Sequence, residues 1–291
     1  MRGLLTIVTC LALAIALGLS GCSLYTADKG IPSYLYIPEF ELESTYAEHG
    51  SGSANIKDVW VFIDGDVQGV YPLPAHFPIL REGSVQVQLS AGILLNGISA
   101  TRAIYPFYTQ AGAGATLNAG QTDTLRPVVT YRTSTQFAWM EDFEGQGFSL
   151  RTSPSSDTGI GRSDDPAEVF EGARSMYIGV DARAPYFQAE GIQTFSPPGV
   201  GLLPVFLELN YRNTQAFEVG LQIIGPTGAA TDLPIVVFAP TLGEWKKQYV
   251  NFSPYLQRTP GYTYRILITA RHEPTLGATG SVWIDNLKLL W

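Results

Sequence analysis

Short hydrophobic runs separated by turn residues dominate the pattern of this chain. Alternating or β-branched runs recur from residue 34 to residue 290, and no long window places apolar residues at helical spacing. With 30 glycines and 19 prolines between them, the runs predict an all-β protein built from sandwiches, with a helical turn near residues 165–171 as the main exception. The predicted strands are 34–43, 59–63, 85–89, 125–131, 175–180, 205–211, 217–224, 235–238, 248–252, 262–270 and 282–290.

The N-terminus has a different pattern. One basic residue, Arg2, precedes an apolar run from Leu4 to Leu19, which is shorter than the ~20 residues that comfortably span a bilayer. Residues 1–21 therefore read as a secretory signal peptide. The alternative is an uncleaved membrane anchor followed by an incidental cysteine.

The end of this signal carries a resemblance. Leu19-Ser20-Gly21-Cys22 resembles the lipobox of bacterial lipoproteins. The resemblance implies cleavage before Cys22 and acylation of that cysteine by chains such as palmitate, which anchor a water-soluble fold to a membrane. Residues 22–33 are then a short tether. Ser23 stands where some bacteria use Asp to signal inner-membrane retention, so we expect a lipid-anchored protein of the cell envelope at the outer membrane.

Composition excludes several functions. A net charge of −8 and only five lysines argue against a phosphate-binding surface, so no nucleic-acid partner is predicted. The two cysteines, Cys10 and Cys22, lie in the signal and at the lipid site. The rest of the chain therefore has no disulfide, zinc-thiolate centre or cysteine nucleophile.

A domain boundary is predicted near residue 136. The polar segment 132–136 leads into Phe137-Ala138-Trp139-Met140 and then into the acidic segment 141–145. The two halves share no internal repeat, which indicates unrelated modules at 34–135 and 136–291 that fold independently.

The N-terminal module has a hairpin signal at Asp64-Gly65. A Pro-containing segment, a turn at Glu82-Gly83 and the alternating strand 85–89 follow. This order resembles the small Ig-like β-sandwich of PEGA-type surface modules, which implies a spacer or attachment role. Asp64 and Asp66 read as turn formers, since the remaining ligands of a calcium loop are missing.

An aromatic segment of the same module allows two interpretations. Tyr105, Phe107 and Tyr108 follow a turn at Asn96-Gly97. They could form a binding patch, but packing in a core or between domains is favoured, because sandwich cores use the same residues.

The C-terminal module carries four ordered fragments: 141–144, 171–178, 243–247 and 282–289. Together they resemble the β-jelly-roll of carbohydrate-binding and galactose-binding-like modules. That fold hosts sugar binding, protein contacts and purely structural roles.

The same resemblance implies a structural calcium as the one possible cofactor. Asp142 or Glu144, Glu171 and Asp285 are its candidate ligands, because Ca²⁺ takes six to eight oxygens and clustered carboxylates repel without a cation. The alternative is that these are solvated carboxylates and turn formers.

Ligand-binding side chains stay open at this level. Sugar binding in such folds uses exposed aromatic rings beside polar groups, and neither Trp245 nor Trp283 is assigned such a role. The available candidates are Tyr186, Phe187, Tyr211 with Arg212 and Asn213, and Tyr255.

Catalysis finds little support. His49, His76 and His272 lie in separate segments, and the chain has no G-x-S-x-G elbow. We therefore predict a non-catalytic binding or assembly module for an envelope protein partner or a surface glycan. The alternative is a carbohydrate-degrading enzyme or its sugar-binding accessory, which would need two carboxylates in one cleft.

Overall fold

The chain folds into two consecutive β-sandwiches. The computed structural model describes residues 30–197, 203–257 and 259–291. These ranges contain 21 strands, one short helix, α1 (Tyr46–His49), and three 3₁₀ turns, which confirms the all-β class. No helix in them is long and apolar enough to cross a membrane. The predicted signal peptide and Cys22 lie outside the described residues.

The N-terminal sandwich has two layers. The first layer is the sheet β4-β3-β6, in which the other edge of β6 pairs with β7 and β8. The second layer contains two smaller sheets, β5-β1-β9 and β10-β2. Its strands are β1 (Ser33–Ile37), β2 (Glu41–Glu43), β3 (Asp58–Ile63), β4 (Asp66–Pro72), β5 (Ala75–Ile79), β6 (Gly83–Leu94), β7 (Arg102–Ile104), β8 (Ala111–Leu117), β9 (Thr122–Thr124) and β10 (Val128–Thr130). Alternate residues of β1, β3, β5 and β6 form the core between the layers. The specifically Ig-like topology stays a prediction.

The predicted hairpin at Asp64-Gly65 is confirmed. Asp64 and Gly65 both have positive φ, at 51° and 87°, as a tight turn with the twist of the flanking strands requires. Arg81 donates to Asp64 at 3.1 Å and to Asp66 at 2.8 Å. Both aspartates therefore stabilise the turn.

The C-terminal module is a β-jelly-roll of two antiparallel sheets. Six strands form the sheet β13-β14-β21-β16-β19 with β11 beside β21, and five form β12-β15-β20-β17-β18. The strands are β11 (Phe137–Glu141), β12 (Leu150–Thr152), β13 (Gly161–Ser163), β14 (Ser175–Asp181), β15 (Tyr186–Gly191), β16 (Phe206–Asn213), β17 (Phe217–Ile224), β18 (Ala230–Phe238), β19 (Lys246–Asn251), β20 (Thr263–Arg271) and β21 (Thr279–Leu290). The largest apolar core of the described chain fills the space between the two sheets.

Three local predictions are wrong for identifiable reasons. Residues 165–171 contain a β-turn instead of a helical turn, since Asp165 accepts from the Ala167 amide and holds the backbone in a turn. The predicted strand 34–43 splits around Pro38, and 125–131 shortens to β10 after Pro127, because proline offers no ladder N–H. The structure also contains β8 in the glycine-rich run 110–120, where no strand is predicted, because Ala and Gly have low strand propensity.

An aromatic core joins the two modules. Tyr105, Tyr108 and Tyr131 of the first pack against Phe206 and Tyr249 of the second. Packing is therefore confirmed for Tyr105 and Tyr108, together with Phe107 in the same cluster. The outer face of the six-stranded sheet is covered here by the N-terminal module.

Candidate functional site

The outer face of the five-stranded sheet collects polar side chains. Along β20, Tyr264, Ile266 and Ile268 point into the jelly-roll core, so Arg265 and Thr269 lie on the opposite face. The neighbouring strands repeat this division. As a result, charged and amide side chains from all five strands meet on one surface.

Glu190 of β15 lies at one end of this surface between two guanidinium groups. Arg151 donates from Nε to its Oε1 at 2.7 Å and approaches the same atom with Nη2 at 2.6 Å. Arg265 Nη1 lies 3.8 Å from the other carboxylate oxygen. The two cations hold Glu190 as a hydrogen-bond acceptor.

An amide relay continues from Arg265 across the sheet. Arg265 donates to Gln222 Oε1, Gln222 donates to Asp232 Oδ1, and Gln188 donates to Asp232 Oδ2, each at 3.1 Å. We call these six side chains the polar row: Arg151, Glu190, Arg265, Gln222, Asp232 and Gln188.

The polar row closes over a concave surface. Gln188 on β15 reaches Asp232 on β18 although β20 and β17 lie between these strands, so the sheet must curve toward the row. On β20, one of the two intervening strands, Leu267 and Thr269 are only 4% and 6% exposed although they face outward. We call this concave outer face, with the polar row above Leu267 and Thr269, the cleft.

One of the aromatic candidates lies on this face. Tyr186 stacks with Arg271, whose guanidinium carbon is 4.3 Å from the ring centroid. Phe187 and Tyr211 instead belong to the core, Tyr255 packs against it, and buried Asn213 donates to main-chain carbonyls. The structure thus brings Tyr186 alone of these to the cleft.

Sequence reasoning missed the polar row. The available signal was the polar half of each alternating strand, such as Gln188 and Glu190 of β15 or Arg265 of β20. This signal does not single those positions out, because polar residues are ordinary at alternate positions of a strand.

The four predicted calcium ligands lie in one neighbourhood. Glu144 Oε1 accepts from the amides of Ala173 at 2.8 Å and Arg174 at 2.9 Å. Asp285 Oδ2 accepts from the amides of Phe170 and Glu171, each at 3.2 Å. Asp285, in the middle of β21, thereby holds the loop before β14.

The two remaining carboxylates complete this group. Asp142 accepts from the hydroxyl of Tyr46 at 3.1 Å, and Glu171 accepts from the Asn286 amide at 3.2 Å. A cavity of about 310 Å³ lies beside Tyr46, Asp142 and Asn286. The first and last strands of the jelly roll therefore meet α1 at an acidic site.

Burial dominates the electrostatics of this site, and neighbouring carboxylates add to it. Burial raises the pKa of Asp285 to about 7; three main-chain amides oppose the shift and the charge of Glu144 adds to it. Burial and the nearby Asp142 also raise the pKa of the Tyr46 hydroxyl. A bound cation would relieve this repulsion.

The same carboxylates do not form a ready metal cage. Within the described ranges, no group of three or more His, Cys, Asp or Glu side chains has an arrangement that could hold a metal ion. The oxygens of Glu144 and Asp285 are directed to main-chain amides instead. The calcium site stays a prediction that requires these side chains to turn toward a common centre.

The histidines lie apart from one another and from the polar row. His76 packs against Tyr34, His49 lies between Tyr131 and Phe137, and His272 contacts the carbonyl oxygen of Gly277 at 3.0 Å. Each contact is structural.

Comparisons with known proteins found similarity only at the level of solved structures. No family model and no curated protein matches this sequence. One similar structure is the C-terminal family 22 carbohydrate binding module of Clostridium thermocellum Xyn10B, with 14% identity, a TM-score of 0.37, and coverage of 53% of this chain and 92% of that one.

Two further structures have similar values. A xylan-binding domain of the same family from Paenibacillus barcinonensis Xyn10C has 9% identity, a TM-score of 0.36, and coverage of 52% and 91%. TmCBM61, solved with β-1,4-galactotriose, has 12% identity, a TM-score of 0.31, and coverage of 53% and 89%. Each similarity covers about half of this chain.

Proposed function

We propose that this protein is a non-catalytic, envelope-anchored module that binds a glycan in the cleft of its five-stranded sheet. The observation that carries the proposal is the polar row above that cleft. Its guanidinium and amide groups donate hydrogen bonds, and its carboxylate and amide oxygens accept them, which suits sugar hydroxyls that do both.

The charges of the row favour a neutral glycan. Arg151, Arg265 and Arg271 are matched by Glu190, Asp232 and Glu218, the last facing outward on β17, so the cleft has no excess of either sign. Tyr186 adds an apolar ring face at the edge, where a sugar ring can stack. A neutral sugar can therefore exchange hydrogen bonds with the row without burying an unpaired charge.

The same contacts support binding over hydrolysis. Glu190 is held between two guanidinium groups, and Asp232 accepts from two glutamine amides. A glycosidase requires one carboxylic acid that gives a proton to the leaving oxygen. Both carboxylates of the row are engaged as acceptors, so neither is prepared for that role.

Binding is tested by affinity electrophoresis of the full chain in gels containing xylan, β-1,4-galactan or glucomannan. We expect retardation by at least one of these polymers. Tyr186→Ala and Gln222→Ala should each weaken it about tenfold, which corresponds to about 1.4 kcal/mol. Gln68→Ala, on the edge strand β4 of the other module, is the matched control and should behave as wild type. Absence of retardation in every gel, or equal retardation of all variants, would contradict the proposal.

Membrane attachment is a separate part of the proposal and rests on the lipobox residues 19–22. Metabolic labelling with a fatty-acid probe should mark the wild type and leave Cys22→Ala unlabelled. Equal labelling of the two proteins would remove the lipid anchor and leave glycan binding untouched.

A further inference from the structure

Strand β8 presents an unprotected sheet edge. It pairs with β6 from Ala111 to Leu117 in continuous register. Among the described residues, no other segment forms main-chain hydrogen bonds with residues 111–117. The Thr116 carbonyl accepts from the Asn118 side chain at 3.2 Å. The rest of the outer row of N–H and C=O groups is available to another strand.

Other edges of this protein carry protective features. Natural sheets block edge pairing with charges, prolines, bulges or very short strands. In the described chain, every other edge strand longer than three residues has one or more of the first three: β4 (Asp66, Pro72 and a bulge opposite Val61 and Phe62), β5 (Pro78), β11 (Glu141 and a bulge), β18 (Asp232, Pro234 and a bulge) and β19 (Lys246 and Lys247).

β8 lacks all of these features. Its sequence Ala-Gly-Ala-Gly-Ala-Thr-Leu contains no charge and no proline, and its ladder has no bulge. An edge of seven residues without such protection is a hazard unless something covers it.

A groove lies beside the N-terminal half of this edge. It has a volume of about 380 Å³ and lies between residues 110–113 on one side and 125–128 on the other. Leu89 and Leu125 form its apolar floor, and Arg126 lines it as well. Side chains added here would contact the core of the N-terminal sandwich.

We propose that the β8 edge and this groove bind an extended peptide segment of a partner protein by strand addition. Only a polypeptide in β conformation matches a free row of alternating N–H and C=O groups. Its side chains toward the groove would be apolar and larger than alanine, because Ala111 and Ala113 leave the space between Leu89 and Leu125 unfilled. This surface is distinct from the glycan cleft and does not depend on it.

A second copy of the chain is a poorer occupant. Two β8 edges could pair about a twofold axis, but each would offer only Ala and Gly from 111 to 115. Such side chains would leave the groove empty.

The test uses the full chain and the capped heptapeptide Thr-Leu-Thr-Leu-Thr-Leu-Thr. Hydrogen–deuterium exchange should slow in residues 111–117 when the peptide is added, and calorimetry should give a measurable Kd. The same peptide N-methylated at alternate residues should bind at least tenfold more weakly, since it loses one row of main-chain donors.

Two variants separate the groove from the strand itself. Ala113→Lys places a charge on the groove side and should abolish peptide binding. Gly114→Thr lies on the opposite face and outside the groove, where an added Cβ meets only the Gln86 side chain at 3.7 Å, and should retain it. The comparison is valid if both variants have the melting temperature of the wild type. If Ala113→Lys has a lower melting temperature, peptide binding by Ala113→Glu and exchange protection in the wild type test the proposal instead.

Three outcomes would overturn the proposal. These are the absence of binding and protection at millimolar peptide, equal binding of the methylated peptide, and a β8-dependent dimer of the wild type in sedimentation analysis.

Discussion

The two outer faces of the jelly roll carry the same ionic group in different surroundings. On the six-stranded sheet, Glu208 lies 2.7 Å from Lys247 Nζ and 4.0 Å from Lys288 Nζ. On the five-stranded sheet, Glu190 lies 2.6 Å from Arg151 and 3.8 Å from Arg265. Each glutamate therefore has one close and one distant cation.

Burial separates their roles. The side chain of Glu208 is fully buried under the N-terminal module and also accepts from the hydroxyls of Tyr105 at 2.6 Å and Tyr131 at 3.0 Å. The Glu190 side chain is only 10% exposed, but Arg151 beside it keeps half of its side chain in solvent. The fully buried group fixes the joint between modules, whereas the group with a solvated arginine can exchange partners with a ligand.

The titration of the buried group follows from the same packing. Burial opposes the charge of Glu208, but Lys247 and Lys288 outweigh it and lower its pKa below the usual value. Burial lowers the pKa of Lys288 to about 8, although Glu208 acts in the opposite direction. Glu208 is consequently held in its charged form within the joint.

Separating the modules should have the largest effect. The sequence predicts that residues 30–134 and 138–291 fold independently, yet the joint buries Tyr105 and Tyr131 against Glu208. We expect the isolated C-terminal module to lose more unfolding free energy than any single joint variant, because Glu208, Lys247 and Lys288 all become exposed. Urea unfolding of each piece and of the full chain measures this. Two pieces as stable as the full chain would show that the joint contributes nothing.

Glu208→Gln should be the most harmful single change. It removes the negative charge between two buried lysines, and breaking a buried ion group in this way costs about 3–5 kcal/mol. Urea unfolding of the full chain gives the value. Retained stability would mean that Lys247 and Lys288 are neutral or solvated in the joint.

Strands were more predictable from sequence than the surfaces they form. β20 has clear alternation, and Asp64-Gly65 is a local turn signal, so both follow from neighbouring residues. The polar row depends on pairing between strands distant in sequence, such as Arg151 opposite Glu190 and Gln222 opposite Asp232. Single-strand patterns contain no information about that register.

The acidic site was predictable in part. The resemblance to jelly-roll modules selected Asp142, Glu144, Glu171 and Asp285, and the structure brings them together. Their hydrogen bonds to the amides of residues 170–174 come from a loop conformation that residue types alone do not specify.

Asp285 should make the free energy of unfolding fall as pH rises, whereas an ion-paired carboxylate makes it rise. Its folded pKa of about 7 exceeds the ordinary value of 3.8, so the folded state binds the extra proton between these values. The stabilisation that Asp285 contributes is complete below about pH 4 and disappears as pH rises through 7. The free energy of unfolding should fall over this range by on the order of 4 kcal/mol. Urea unfolding in chelator at pH 4, 5.5 and 7.5 measures it, and Asp285→Ala should flatten the slope.

The same urea-unfolding experiment, repeated with calcium, tests the predicted calcium site. If Ca²⁺ binds the ionised carboxylates, it should restore stability at pH 7.5 by about 2.7 kcal/mol at a hundredfold excess over Kd. Chelator should reverse the effect, and Asp285→Ala should abolish it. Identical melting in calcium and chelator would leave Asp142, Glu144, Glu171 and Asp285 as purely structural carboxylates.

Glu190→Gln should destabilise the fold less than Glu208→Gln and so completes the comparison. Glu190 is only 10% exposed, but Arg151 is 52% and Arg265 22% exposed, so water solvates the arginines that the change leaves without a partner. The same change leaves Arg151 and Arg265 uncompensated in the cleft, so binding of a neutral polysaccharide should fall more than stability does. Paired urea-unfolding and affinity-gel measurements on Glu190→Gln and Glu208→Gln test this. If Glu190→Gln instead destabilises the fold as strongly as Glu208→Gln, then the Glu190 group is a structural joint and the cleft is not its site of action.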